Sequence, residues 1–201
     1  MDHPSVDLRI KKTKHAIKEQ FIKLLAEKNF THITIKDITE KALIGRGTFY
    51  LHYKDKYDLL SQIIKKEIQL LLKNLEPEKA LNYGRLKEKL VIEYITKMLT
   101  HIRDHDLFFK VMFINEGVVG FRQQLKKAMV GKVKENPHFM NSADPIDLEV
   151  TVTFVSSGIL GVLEWWIKAD MPLDPDVLAS KLQSIISRGP AETNGFRVIT
   201  E

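Results

Sequence analysis

The sequence predicts an all-α fold, with a small three-helix head followed by a larger helical body. Three observations predict it. Every long segment repeats its apolar residues with helical period, and none alternates with period two. Two short helices meet at a glycine-containing turn between residues 34 and 51. The charge is unevenly divided: residues 1–75 hold 15 Lys/Arg against 9 Asp/Glu, net +6, while residues 76–201 net −1.

The first helix is expected from about Thr13 to Glu27, with Ile17, Phe21, Leu24 and Leu25 as its buried stripe; Phe30 and Ile33 close the small core. Thr34 is placed to cap the next helix, and Asp37, three residues on, can return the hydrogen bond as a short capping box. Ile35, Ile38 and Ala42 then fall at i, i+3 and i+7, an apolar stripe on two turns. Leu43-Ile44-Gly45 ends that helix and turns the chain. A second short helix runs from Arg46 to about Leu51, with Phe49 inward and Arg46, Thr48, Tyr50 and His52 outward or along the rim. Asp55 caps a helix over residues 55–73 whose inner face is Leu59, Leu60, Ile63 and Ile64. Polar and aromatic residues on so short a helix do nothing for folding. They suit a surface that enters a DNA major groove, and the positive excess suits a polyanion partner. On type and position, Arg46, Thr48 and His52 are candidates for base edges, and Leu51 for a thymine methyl.

Residues 76–84 are expected to be a loop, with helices beyond it at Arg85–Arg103, Leu107–Ile114, Phe121–Lys134, Pro145–Lys168 and Asp174–Ser187. Residues 188–201, with Gly, Pro and Asn, read as a loose tail. The expected domains are therefore 1–54 and 55–187, with 55–73 as connecting helix.

Ala42-Leu-Ile-Gly-Arg-Gly-Thr-Phe-Tyr50 and Tyr53-Lys-Asp-Lys-Tyr-Asp-Leu59, after Thr34-Ile-Lys-Asp-Ile38, resemble the signature of the TetR family of bacterial transcriptional regulators. Leu43 stands where the family usually has the turn glycine, and Gly45 where Ser or Asn usually caps the recognition helix. The resemblance implies a homeodomain-like helix-turn-helix head, a palindromic double-stranded operator as partner, and phosphate contacts at Tyr50, Lys54, Lys56, Thr34 and Lys36. Lys56 also lies in a helix's first turn, where free backbone amides attract phosphate. The C-terminal pattern, Phe108-Phe-Lys110 with Gly158-x-x-Gly-x-x-x-Trp-Trp166, is similar to a subgroup that includes dihydroxyacetone-kinase operon regulators, in which the signal can be a protein partner.

From Val150 to Ile167 the chain is apolar nearly all round, and a helix with no polar face must be covered on more than one side. We expect a homodimer whose interface uses Phe154, Gly158, Gly161, Val162 and Trp165 from this helix and Leu178, Leu182 and Ile185 from the next. A twofold protein reads two half-sites about one helical turn apart, which gives dimerisation a purpose.

Met98, Phe108, Met112, Phe113 and Trp165 are candidates for an apolar small-molecule pocket. The expected function is repression relieved by a small-molecule inducer. The alternative is an activator or co-regulator controlled by a protein partner on the C-terminal domain. A remote third is a metal sensor using His101 and His105, which share a helix face, with Asp104 or Glu116 beside them. No phosphate-binding glycine loop and no cysteine nucleophile are present, so no enzyme and no cofactor are expected. The absence of cysteine suits a reducing compartment. No leader is visible at the N-terminus, and no stretch of about 18 apolar residues was found, which points to a cytoplasmic, nucleoid-associated protein.

Overall fold

The computed structural model describes residues 4–73, 75, 81–82, 85–115, 117–135 and 144–196. In chain order these form α1 (Pro4–Glu27), a 3-10 turn (Phe30–His32), α2 (Ile35–Lys41), α3 (Arg46–Tyr50) and α4 (Lys56–Leu71). Then come β1 (Leu81–Asn82), β2 (Arg85–Leu86), α5 (Glu88–Asp104), α6 (Asp106–Ile114), α7 (Phe121–Lys134), α8 (Pro145–Lys168) and α9 (Pro175–Thr193). The strands pair antiparallel, Leu81 with Leu86 and Asn82 with Arg85. They are too short to show alternation in sequence, and the fold is all-α apart from them. Most of the expected 76–84 loop lies outside the described residues.

The chain divides into two compact units, the first running through Ile68 and adding Leu107–Phe121, the second taking Gln69–Asp106 and everything from Arg122 on. In the first unit, Ile17, Phe21, Phe30, Ile33, Ile38, Phe49, Leu59 and Ile64 are buried, which is the core expected from the stripes on the separate helices. Lys18 pairs with the buried carboxylate of Glu67 and so ties α1 to α4.

The surprise is α6. Phe108, Phe109, Met112 and Phe113 are buried, and Phe121 meets Phe108, Phe109 and Phe113 edge-on with ring centres 5.4–6.3 Å apart. Just past α6, the Asn115 amide donates to the carbonyls of Leu25 (2.7 Å) and Lys28 (3.2 Å), satisfying the open C-terminal end of α1. A Cβ at Gly117 would fall 2.3 Å from Asn29 Oδ1, so any larger residue there would displace the Asn29 side chain that caps the 3-10 turn. Leu107–Phe121 therefore belongs with the head, although sequence spacing had assigned it to the body.

In the second unit α9 packs along α5. Leu99, Ile102, Leu163, Trp166, Ile167, Leu178 and Leu182 are buried, and the Trp166 indole donates to the Leu173 carbonyl at 2.9 Å. Leu178 and Leu182, expected at a dimer interface, are 3% and 4% exposed, so they belong to the protomer's own core. The large apolar side chains that α9 leaves on the surface are those of Val177 and Ile185. Helix α9 also continues to Thr193 across a break at Gly189 (φ 80°) and Pro190, so the tail expected from residue 188 carries a further helical turn. Residues 197–201 lie outside the described part.

Helix α8 is 24 residues long and, by length and composition alone, apolar enough to cross a membrane, contrary to the expectation that no such stretch exists. Its buried side includes Leu148, Val152, Ser156, Leu163 and Trp166. Its open side carries Ile146, Val150, Phe154 and Trp165, with Gly158 and Gly161 exposed between them.

Candidate nucleic-acid interface

The reading head starts at a well-made cap. Thr34 Oγ1 accepts from the Asp37 amide at 3.2 Å while Asp37 accepts from the Thr34 amide at 2.7 Å, the reciprocal box expected from the sequence. The Thr34 amide, the Lys28 ammonium and the Thr34 hydroxyl together hold the Asp37 carboxyl down to about 2, from an ordinary 3.8. Because the folded value is depressed, the contribution of ionised Asp37 is full above about pH 4 and disappears as the pH falls toward 2. The gap in melting temperature between wild type and Asp37→Asn should be widest near neutral pH and close on acidification through that window. A gap that widens on acidification would contradict this account of the cap.

Between α2 and α3 the turn residue Leu43 has φ +52° and is 92% exposed. An L side chain with a Cβ is strained in that region, and nothing buries this one. Leu43→Gly is expected to stabilise the protein by roughly 0.5–1 kcal/mol, the relief of strain being partly offset by the more flexible unfolded chain. Denaturant titration reads this directly, and a loss of stability would show that Leu43 makes a contact that stabilises the turn.

Helix α3 buries Phe49 against Tyr53 and leaves Arg46, Gly47, Tyr50 and Leu51 on the surface, with Thr48 and His52 half-buried beside them. Its Gly45 cap makes no side-chain hydrogen bond. Neither Gly45 nor Gly47 has any atom within 4 Å of where a Cβ would stand, so this face is open to close approach. Gly47 was not singled out in the sequence; the signal available was its place one residue after Arg46 on an outward face. Burial pushes the His52 imidazole below its ordinary value, and the Lys14 ammonium adds to the effect, which favours the neutral ring that can both donate and accept.

The expected phosphate contacts separate into two groups. Tyr50, Lys54, Thr34 and Lys36 are exposed, Lys36 lying 3.7 Å from Glu40. Lys56 is instead turned inward. Its ammonium donates to the carbonyls of Phe30 (2.9 Å), Thr31 (3.0 Å) and Ile33 (2.8 Å) and sits 4.7 Å over the Phe30 ring. All three ammonium protons are occupied, which makes Lys56 a strut under the 3-10 turn in place of the expected phosphate ligand. The Asp55 cap expected for α4 is present, accepting from the Asp58 amide at 2.8 Å.

The second unit holds a cavity of about 190 Å³. Leu71, Tyr94, Ile95, Met98, Met129, Val152, Val155 and Ser156 are among its lining, which is almost wholly apolar. Of the expected pocket residues only Met98 lines it. Phe108, Met112 and Phe113 lie in the core of the first unit, and Trp165 is half exposed on α8. The apolar positions Val91, Tyr94 and Ile95 of α5 and Val152 of α8, with Ser156, did carry the signal, but lining and packing residues look alike in sequence. His101 on α5 and His105, the residue that caps its C-terminus, lie 4.4 Å apart between ring centres, with Asp104 exposed beside them; Glu116 lies outside the described residues.

Known proteins resemble this chain in both regions. Residues 22–63 match the family described as bacterial regulatory proteins, tetR family, and residues 91–188 match a transcriptional regulator C-terminal region. The chain is 27% identical to the "Uncharacterized HTH-type transcriptional regulator YxbF" of Bacillus subtilis over 86% of its own length and 44% of that protein's. It thus spans less than half the length of that relative. It is 24% identical to the "Probable acrEF/envCD operon repressor" of Escherichia coli, over 78% of this chain and 76% of that one. Its fold resembles that of the "Dihydroxyacetone kinase operon activator DhaS", with TM-score 0.60 and 16% identity, covering 92% of this chain and 98% of the other. The family and the relatives are regulators of transcription and not enzymes. With the helix-turn-helix geometry and both halves matched, the chain belongs to the TetR family of transcriptional regulators.

Proposed function

We propose that the protein is a homodimeric repressor that reads a palindromic operator through α3 and is released from it by an apolar small molecule. The observation that carries the reading is α3 itself: Phe49 anchors it in the core, while Arg46, Thr48, Tyr50, Leu51 and His52 lie outward or half-buried around two glycines with open space. Arg46 and Thr48 suit base edges, and Tyr50, Lys54, Thr34 and Lys36 suit phosphates. The dimer is supported by the exposed stripe Ile146, Val150, Phe154, Gly158, Gly161 and Trp165 on α8, and by the exposed Val177 and Ile185 on α9. A large apolar patch of this kind marks an interaction surface. The E. coli relative described as a probable operon repressor supports the sign of regulation.

Selection of bound duplexes from a random pool, followed by sedimentation of the complex, tests the reading. A palindromic consensus bound by two chains is expected; enrichment of no sequence at physiological salt contradicts it. For the inducer, the cavity is the support, and a ligand acts only by binding the released form more tightly. Ser156 is buried in the cavity wall, so Ser156→Phe should fill the space. Loss of binding of an apolar fluorescent naphthylamine, with operator affinity retained, is the expected result; unchanged probe binding would place the ligand elsewhere. A second reading, activation through a docked protein, is favoured by the fold likeness to the activator DhaS. A reporter gene placed behind the selected operator separates the two by the direction of the change.

A further inference from the structure

The first unit has a second basic feature, separate from the face of α3. Lys11, Lys14, His15 and Lys18 fall at i, i+3, i+4 and i+7, one stripe along α1. Across from them, α4 presents Gln62, Ile63 and Lys66, and Tyr53 closes the end next to the reading segment. Together these residues line a groove of about 520 Å³. Lys18 is neutralised by Glu67, and His15 lies 3.5 Å from Glu19. Lys14 and Lys66 leave the groove positive, which an apolar or cationic occupant would not favour.

Its position points to one polyanion. Tyr53 belongs both to the groove and to the aromatic cluster formed with Phe49 and His52, so the groove ends beside α3. Lys14 also acts electrostatically on His52. From Lys11 to Lys18 the helix rises about 10 Å, the axial run of about three phosphates on one strand. We propose that the α1–α4 groove holds the phosphodiester backbone of DNA flanking the half-site read by α3, through Lys14 and Lys66. This inference rests on the DNA-reading function proposed above. It adds that the footprint extends beyond the bases α3 can touch, and that this extension is insensitive to sequence.

The test uses the full chain and a duplex selected from the random pool, prepared in two lengths: trimmed to the two half-sites, and extended by about one helical turn on each side. On the extended duplex, Lys14→Gln/Lys66→Gln should lower the slope of log affinity against log salt by about 2 per protomer. On the trimmed duplex the slope should not move, and the preferred sequence should be the same on both. Lys14→Arg/Lys66→Arg should restore the slope, and melting temperatures confirm that all variants fold. Equal losses on both lengths, no loss on either, or a failure of the arginine pair to rescue overturns the proposal. If the wild type binds both lengths specifically and the slopes are equal, only this extension fails. If it binds neither, the DNA reading itself fails.

Discussion

Gly158→Arg is expected to yield a folded monomer that has lost 10²–10⁴-fold in operator affinity, the avidity that linking two binding modules supplies. Beyond the backbone of α8 itself, no atom lies within 4 Å of the position a Cβ would take at Gly158, so the chain accommodates the new side chain. Helix propensity even favours the change, by up to about 1 kcal/mol. The side chain would project from the stripe of Phe154 (68% exposed) and Trp165 (51% exposed), apolar groups that a monomer leaves in water. In a dimer it would place a bulky charge where two helices approach closely, and a buried unpaired charge is strongly destabilising. Sedimentation reads the mass and a gel-shift titration reads the affinity. A dimer that survives the substitution would mean that the apolar stripe of α8 faces something other than a second copy.

Arg46→Ala should cost about 1–3 kcal/mol of operator binding and relax the preference at a single base pair of each half-site. Arg46 is the first residue of α3 and is exposed, and its guanidinium has the fork geometry that matches the O6/N7 face of guanine. Lys54→Ala, at an exposed position beyond the helix, should instead weaken all sequences alike and lower the salt slope by about one per half-site. The contrast between the two variants matters more than either value. If they act alike on selected and on random duplexes, the division into base and phosphate contacts is wrong.

The head was legible because its signals are local. A capping box needs only Thr34 and Asp37, the turn needs Leu43 to Gly45, and the inward position of Phe49 follows from three residues on either side. The errors arose where the answer lay far along the chain. The carbonyls that occupy Lys56 come from 23 to 26 residues earlier, and those held by Asn115 from 87 to 90 residues earlier. No periodicity reports such partners. The face of α9 was misjudged because Leu178 and Leu182 share a helical stripe with α5 as partner, which leaves Val177 and Ile185 outside. The aromatic residues of α6 looked equally suited to a pocket and to a core. Only their burial together with Phe121 separates the two.

Methylation interference on the selected operator tests the central claim most directly, because guanine N7 lies in the major groove where α3 is placed. Modification at one position in each half-site, about one helical turn apart, should abolish binding by the wild type and matter little to Arg46→Ala. Binding that tolerates N7 methylation everywhere, or is blocked only by minor-groove modification, would contradict the account.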